Sequence, residues 1–357
     1  MAASVNAGMP AGSRARLRKR ALRGATYAAL VILGTAFTLP FFWLLSTSFK
    51  PADRIQHWPP DIIPMRQVTT NIDGEIRRVY SVKRPAGARA VPAVTIIKRL
   101  PGNRAVVYPA GRGFTVRPAT VNADDLEPVV KPGITWSNYT RGLVFIPFFR
   151  QLRNTLIISV VSVLGTLISC SLVAYGLSRI EWRGRNTLFL VLLSVMMLPY
   201  QVVMAPLFAV FVKLGWVDTF LPLTVPTFFG NVFFIFLLRQ FFMTIPRDLS
   251  EAAKLDGCSE FDIYRRVILP LAKPALAMVG LWTFMGAWND FLGPLIYLVD
   301  EANYTLSLGL AMFLGQYGSE YGMLMAVSTV VTIPIIVLFF FTQRTFIQGI
   351  TLTGIKG

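Results

Sequence analysis

Apolar residues gather along this chain in six long runs parted by polar, charge-bearing segments, at roughly 25–49, 152–178, 186–212, 220–242, 275–299 and 322–343. A helix that crosses a bilayer needs about 20 predominantly apolar residues, and every run reaches that length. The pattern predicts an all-α membrane protein with six transmembrane helices. The first run follows Arg14, Arg16, Arg18, Lys19, Arg20 and Arg23, as the core of a secretory signal would. It is too long for one, however, and ends in Ser46-Thr47-Ser48-Phe49-Lys50-Pro51 without a small-residue cleavage site, so it reads as an uncleaved span.

The segment 50–151 between the first two spans has a different texture over about 65–134. Short β-branched runs (Val91–Ile97, Ala105–Tyr108, Phe114–Val116) alternate with the turn-forming clusters Pro101-Gly102-Asn103 and Gly111-Arg112-Gly113. Such punctuation reads as hairpins, hence a small β-rich insert after helix 1. A partly disordered insert is the alternative.

Charge orients the spans. The chain carries 35 Lys and Arg against 18 Asp and Glu, net +17, although 54% of it is hydrophobic and only 15% charged. With the N-terminus inside, seventeen Lys and Arg fall on the cytoplasmic side and six outside, leaving aside the insert, which predicts cytoplasmic termini. The insert itself holds twelve basic and five acidic residues between Arg66 and Lys131 and is extracytoplasmic on this topology. Long translocated loops do not count in the positive-inside bias, so the two statements agree. The divisions are a basic cytoplasmic arm 1–24, a first helix 25–49, the outer loop 50–151, a five-helix core 152–343 and a cytoplasmic tail 344–357. The arm could also bind nucleic acid or anionic lipid, but six charges just inside a first span are the ordinary topology signal, and no nucleic-acid partner is expected.

Several chemistries lack their residues. Cys170 and Cys258 are the only cysteines and His57 the only imidazole, so no disulfide framework, zinc cluster or histidine-based triad is available. No Gly-x-x-x-x-Gly-Lys-Ser/Thr loop is present to cradle phosphates, and no cofactor signature appears. The expectation is a chain that is not an enzyme and holds no cofactor or metal.

The cytoplasmic stretch 245–270 reads as two short helices. Pro246 precedes the first, with Asp248 or Ser250 able to cap its free N–H groups and Glu251 at the positive dipole end. Gly257 supplies the left-handed residue that closes it. Ser259 begins the second with Asp262 three residues on, a capping-box variant, and Pro270 stops it. Ala252 and Ala253 leave little bulk on one face, while Leu249, Leu255, Phe261 and Tyr264 are apolar on a segment that water should surround. That fits a docking element; a helix pair lying on the membrane surface fits equally.

Glu251-Ala252-Ala253, then Gly257, then Val267 and Leu269-Pro270 at the spacing they have here, resemble the EAA loop of permease subunits in binding-protein-dependent ABC importers. Pro40–Lys50, Ala174–Arg179, Met197–Gln201, Leu237–Phe242, Trp288–Phe291 and Gln348-Gly349 are similar to further motifs of the carbohydrate branch, as in the smaller maltose-type permease. The likeness covers about 25–64 and 135–357 and does not reach the insert. It implies a type I ABC importer permease fold in a bacterial or archaeal plasma membrane, a pore shared with a sister permease subunit, and an extracytoplasmic solute-binding protein that delivers a sugar, oligosaccharide or related solute. It also implies an ATPase dimer docking on Glu251, Ala252, Ala253, Leu255, Asp256, Gly257, Phe261, Leu269 and Pro270. The outer loop Thr305–Tyr317 matches, by position, one that meets the binding protein.

Span five holds the acidic residue Asp290 beside Asn289. A charge near the bilayer centre costs at least about 2.5–3.5 kcal/mol and usually faces a bundle interior or a water-filled path. Trp288 and Phe291 could stack on sugar faces, and Gly293-Pro294 would break the helix. Asn289-Asp290 could instead only cap the half-helix after the break. Gln201, beside Pro199 in span three, carries the same ambiguity, with a kink favoured. The competing readings are a self-contained secondary transporter or channel, which needs several mid-membrane carboxylates or paired broken helices, and a membrane enzyme, which needs an acid–base–nucleophile set.

Overall fold

The structure is a computed structural model that describes residues 11–72, 75–83, 94–109, 119–315 and 318–354. The expected strand Phe114–Val116, the turn Gly111–Gly113, residues 91–93 of another strand and residues 316–317 of the outer loop lie outside the described residues, as do the ends of the arm and tail. The chain forms two compact bodies, one running to Tyr139 and including Tyr321–Thr329, the other made of Thr140–Glu320 and the chain from Val330 onward.

The first body opens with α1 (Ala11–Ser48), which carries the expected first span back through the basic arm. Its Arg, Lys, Ala and Leu are good helix formers, and no proline intervenes before Pro40. Within Lys19–Ser48 an 18-residue stretch has a mean hydropathy of 2.1 and none of it is buried, as a lipid-facing span requires. Asn138 Nδ2 gathers the carbonyls at its end, donating to Ser48 O and Lys50 O at 2.8 Å each. A narrow neck follows, β1 (Met65–Gln67) antiparallel to β8 (Val130–Pro132). Beyond it β2 (Thr69–Ile72), β3 (Glu75–Val82), β4 (Val94–Leu100), β5 (Arg104–Pro109) and β6 (Ala119–Asn122) pair in that order, with β7 (Leu126–Pro128) also on β3. Val94, Ala105 and Val107 form the small core of this sheet. Gly102 and Asn103, both at positive φ, turn β4 into β5.

The second body is built on α2 (Phe148–Ser178), a straight 31-residue helix. Around it stand α3 (Arg185–Val195), α4 (Tyr200–Lys213), α5 (Val232–Thr244), α6 (Asp248–Leu255), α7 (Glu260–Leu271), α8 (Lys273–Asn289), α9 (Leu292–Tyr297) and α10 (Leu306–Ala311). The long α11 (Tyr321–Gly354) takes the expected sixth span on into the tail. Among the described residues, four helical runs are long and apolar enough to cross a membrane alone, and two bent pairs add up to two more.

Three of the expected spans are broken, one of them where no interruption was expected and two more sharply or at a different place than the sequence indicated. Span three turns by 95° between α3 and α4, at Pro199, far beyond a kink. Span four runs as a one-turn helix Leu221–Thr224 and a 3₁₀ segment Val225–Phe229 to Gly230, at φ +90°, and restarts as α5 under an Asn231 cap. Span five breaks at Asp290-Phe291, before the Gly293-Pro294 that sequence favoured. Pro294 sits in the first turn of α9, where its missing N–H costs no bond.

Such breaks free backbone groups inside an apolar layer, and a buried stripe of small polar side chains on α2 receives those of span four as well as those of the loop after span five. Asn154 Nδ2 donates to Ala302 O and Tyr304 O at 2.9 and 3.0 Å. Thr155 Oγ1 accepts from Leu306 N–H at 2.9 Å. Further along, Ser162 donates to Leu223 O and Ser169 to Thr227 O, and Cys170 Sγ accepts from Asn231 N–H. Replacing Asn154 with Ala should therefore strand two carbonyls and destabilise the protein by about 1–3 kcal/mol, read as a lower thermal midpoint in detergent. An unchanged midpoint would refute this account of the stripe.

Candidate functional site

The hairpin that begins at Ile245 is closed by backbone geometry. At the end of α6, Gly257 lies at φ +79°, its N–H on Lys254 O and the Cys258 N–H on Ala253 O, both at 3.0 Å. This is the paired 6→1 and 5→2 bonding of a Schellman motif. Ser259 then caps α7: its Oγ accepts from Asp262 N–H at 3.2 Å and donates to Asp262 Oδ2 at 2.5 Å. That bond holds the Asp262 carboxyl below its ordinary range. Neither Asp248 nor Ser250 caps α6, whose first turn follows Arg247 in helical conformation without a side-chain cap.

Pro270 does not stop the second helix. Residues Ile263–Ile268 adopt a π turn, with Leu269 N–H bonded to Tyr264 O five residues back. The wider turn relieves the usual conflict between a proline ring and the preceding turn, so α7 runs to Leu271. It then bends by 79° into α8.

The hairpin is bolted to α2. Tyr264, expected on the docking face, is buried, its hydroxyl 2.7 Å from Ser171 Oγ and its ring 5.3 Å from that of Tyr175. The Tyr175 hydroxyl donates to Glu260 Oε2 at 2.7 Å, and Lys254 Nζ reaches Glu260 Oε1 at 2.6 Å. Lys254, and after it Tyr175, hold the Glu260 carboxyl below the usual carboxylate range. A depressed carboxyl contributes its stabilisation at neutral pH and loses it only as pH falls through the lowered value. Ile263 and Ile268 are wholly buried with Leu238, Phe242, Ala272 and Val279.

Two arginines that the sequence offered as topology charges and as members of the Ala174–Arg179 and Leu237–Phe242 motifs lock the same region. Arg179, just past α2, donates through Nη2 to Phe242 O and Ile245 O at the end of α5, the first of which also accepts from Ile245 N–H. Reciprocally, Arg239 of α5 donates through Nε to Leu177 O at the end of α2, at 3.1 Å, and lies 4.1 Å from the centre of the Phe189 ring. Each helix thus caps the other, as cations at C-termini do. Spacing alone held no signal for this pairing beyond an arginine at each helix end.

What remains outward is the surface the sequence proposed. Glu251, Ala252, Leu255, Asp256, Gly257, Phe261 and Pro270 are exposed, and Ala253 and Leu269 half-buried. Leu255 is 90% exposed and Phe261 63%, which leaves two large apolar side chains uncovered.

The residues proposed for a substrate path separate. Asp290 lines a cavity of about 390 Å³ together with Ser162, Thr166, Asn231 and Thr283. Its Oδ1 also accepts from Gly293 N–H at 3.1 Å, so it caps α9 as the alternative reading had it. Trp288 is buried and stacks on Phe284. Asn289 Nδ2 bonds back to Met285 O. Phe291 and Gln201 are exposed, and none of these four lines the cavity.

A helical membrane body with interrupted spans and an apolar-tipped, rigidly rooted hairpin defines a transport subunit built to be driven from outside itself. Residues 164–351 match the family described as binding-protein-dependent transport system inner membrane component, and the chain belongs to that family. It is similar to the arabinooligosaccharides transport system permease protein AraQ of Bacillus subtilis (strain 168), 36% identical over 237 residues, 65% of this chain and 82% of that protein. It is likewise 34% identical over 234 residues to the trehalose/maltose transport system permease protein MalG of Thermococcus litoralis, 64% of this chain and 84% of that protein. Among solved structures, a bacterial ABC transporter involved in the import of the acidic polysaccharide alginate superposes with a TM-score of 0.64 at 22% identity, over 92% of this chain and 97% of that one. The fold is that of type I ABC importer permeases. The chain is an integral inner-membrane transport subunit and not an enzyme, ATP hydrolysis lying in a separate ATPase.

Replacing Arg179 with Met should leave the Ile245 carbonyl without its donor and Phe242 O with one donor in place of two, about 1–3 kcal/mol. Amide exchange over residues 240–250 is then expected to quicken by roughly 10- to 100-fold, with little change at the far end of α2. Equal exchange in both proteins would refute the cross-cap.

Proposed function

We propose that the chain is a six-span permease subunit, both termini cytoplasmic, that passes a sugar, oligosaccharide or related solute inward after an extracytoplasmic solute-binding protein delivers it. The six spans are α1, α2, the bent pair α3 and α4, the run Leu221–Thr244, α8 with α9, and α11. The positive-inside count supports the orientation, and the names of the similar proteins support a carbohydrate. A sister permease completes the pore. The subunit has no cofactor of its own.

One observation carries the mechanism: the hairpin 245–270 exposes Leu255 and Phe261 at its tip while Tyr264, Ile263 and Ile268 are fixed in the core. An ATPase dimer gripping Glu251, Ala252, Leu255, Asp256, Gly257 and Phe261 would move the root as one piece, because Ala253 keeps α6 close to the core and the π turn ahead of Leu269 and Pro270 joins α7 to α8. Asp290 and its cavity offer hydroxyl- and carboxylate-lined space on the solute's route. Trp288, now a packed core residue, drops out as a sugar platform. The strands of the insert stand on the outer side.

The test is uptake by the whole importer in vesicles. Gly257→Val forces a β-branched residue to φ +79°, which only glycine and a few others adopt readily. It should abolish ATP-driven uptake while the chain remains in the membrane. Uptake by this chain alone without ATP would instead establish a self-contained transporter.

A further inference from the structure

The junction between α1 and the insert combines exposed apolar side chains with unpaired cations. Trp58, Ile62, Ile63, Ile134 and Trp136 are 85%, 80%, 60%, 53% and 63% exposed. Their depth is fixed by bonds to the end of the span. Ser46 Oγ, in the last turn of α1, donates to Ile62 O at 2.5 Å, and Thr135 N–H bonds to Phe49 O at 3.0 Å. The Trp136 ring lies 5.0 Å from that of Phe49. Arg54 and Asp61, joined by two 3.0 Å bonds, hold closed the loop that presents Trp58. These apolar groups therefore sit where the bilayer's hydrocarbon gives way to headgroups, the level at which tryptophan is enriched.

Two rungs up the neck, Arg66 and Lys131 stand directly opposite each other in the β1–β8 ladder. Like charges so placed destabilise a sheet. Elsewhere in the insert Arg77 pairs with Glu75, Arg78 with Asp53 and Lys83 with Glu127. Among the described residues Arg66 and Lys131 are exposed and form no ion pair. Arg66 also points back toward the span: a Cβ on Gly133 would lie 3.0 Å from Arg66 Cβ and 3.6 Å from its Cδ, so the arginine stem crosses the glycine. From Ile62 to Arg66 an extended chain rises at most about 13 Å, and leaning back over Gly133, two residues beyond Lys131 on the partner strand, recovers about 7 Å. The guanidinium thus returns to the headgroup layer, about 5–8 Å thick on each side, with its stem over the surface as a snorkelling side chain has it.

We propose that this neck binds the phosphate of an anionic phospholipid between Arg66 and Lys131, with Trp58, Ile62, Ile63, Ile134 and Trp136 entering the boundary below it. The site rests on α1 being a span, and its assignment to the outer leaflet rests on the topology proposed above. The lipid's single negative charge offsets the repulsion across the like-charged rung and fixes the insert's foot on the membrane surface.

The whole importer, purified in detergent, is titrated with phosphatidylglycerol and separately with phosphatidylcholine, and bound lipid is counted by native mass spectrometry. Arg66→Gln with Lys131→Gln should weaken phosphatidylglycerol binding by about 30-fold, about fivefold for each cation at an anionic surface, and leave phosphatidylcholine unaffected. Lys98→Gln with Arg104→Gln removes the same charge from the sheet away from the neck and should change neither. Unchanged phosphatidylglycerol affinity in the neck variant, or an equal loss in the distal variant, overturns the proposal. A fluorophore at Ile63→Cys, with Cys258 replaced by Ser, should be quenched by lipid carrying a quencher in its chain. Shielding by the binding protein or the sister permease in place of quenching would make the neck a protein interface and also overturn it. Labelling of Arg104→Cys by an impermeant thiol reagent in intact cells checks the side separately. Its failure would overturn the outer-leaflet assignment and the topology together, and is distinguishable from a loss of lipid selectivity.

Discussion

Wherever a helix is interrupted inside a membrane, the amides and carbonyls it releases need partners from the chain, because hydrocarbon offers none. The second body of this permease breaks its helices at Pro199, at Gly230-Asn231 and at Asp290-Phe291. It tolerates the break at Gly230-Asn231, and ties down the loop that follows span five, because α2 is not a purely apolar helix. From Asn154 to Cys170 one buried face supplies amide, hydroxyl and thiol groups to the backbone of residues 223–231 and 302–306. The unbroken helix makes the broken ones possible. Gly165 belongs to the same logic, since any side chain there would collide with Thr227 and Phe228 in the 3₁₀ segment.

The same helix ends at the root of the hairpin. Below the stripe, Ser171 and Tyr175 turn from neighbouring backbone to the hairpin, taking Tyr264 and Glu260. One turn later Arg179 closes the end of α5 while Arg239 closes the end of α2. A displacement of Glu260 or Tyr264 is therefore carried into α2 by short hydrogen bonds and a packed core, with no flexible linker in between. By chain order the hairpin is a lever rooted in spans four and five. The connectivity does run there, but the side chains that fix the lever's angle belong chiefly to span two.

What could be read beforehand divides by the range of the interaction. Gly257 closing α6 and Ser259 opening α7 follow from bonds within six residues, and the local string specifies them. The end of α7 was misread at Pro270, because a π turn set by burial of Ile263 and Ile268 accommodates the ring, and burial is not local. Arg179 and Arg239 were visible as charges, and a positive-inside count uses them correctly; their second task depends on two helix ends meeting across sixty residues. Tyr264 illustrates the same limit, since helical spacing showed an aromatic on a cytoplasmic segment without showing which way the hairpin leaned. Asp218, a positive-φ residue whose carboxylate gathers the N–H groups of Asp300 and Val299, is another long-range tie that spacing could not supply.

Asp290 shows why structural and functional readings of one residue need not compete. A break in span five leaves the first N–H groups of α9 without intrahelical partners, and a carboxylate oxygen accepting from Gly293 satisfies one of them. Gly293 has to be a glycine at that approach, since a Cβ would strike both the Asp290 carboxylate and Leu223. The cap therefore fixes where the carboxylate stands, and it stands on the wall of the cavity among Ser162, Thr166 and Thr283. A charged group on a free rotamer would swing away or draw in water. One held by the helix it caps presents a constant polar surface to whatever enters, so the bond that stabilises the break is also what makes the cavity's chemistry definite.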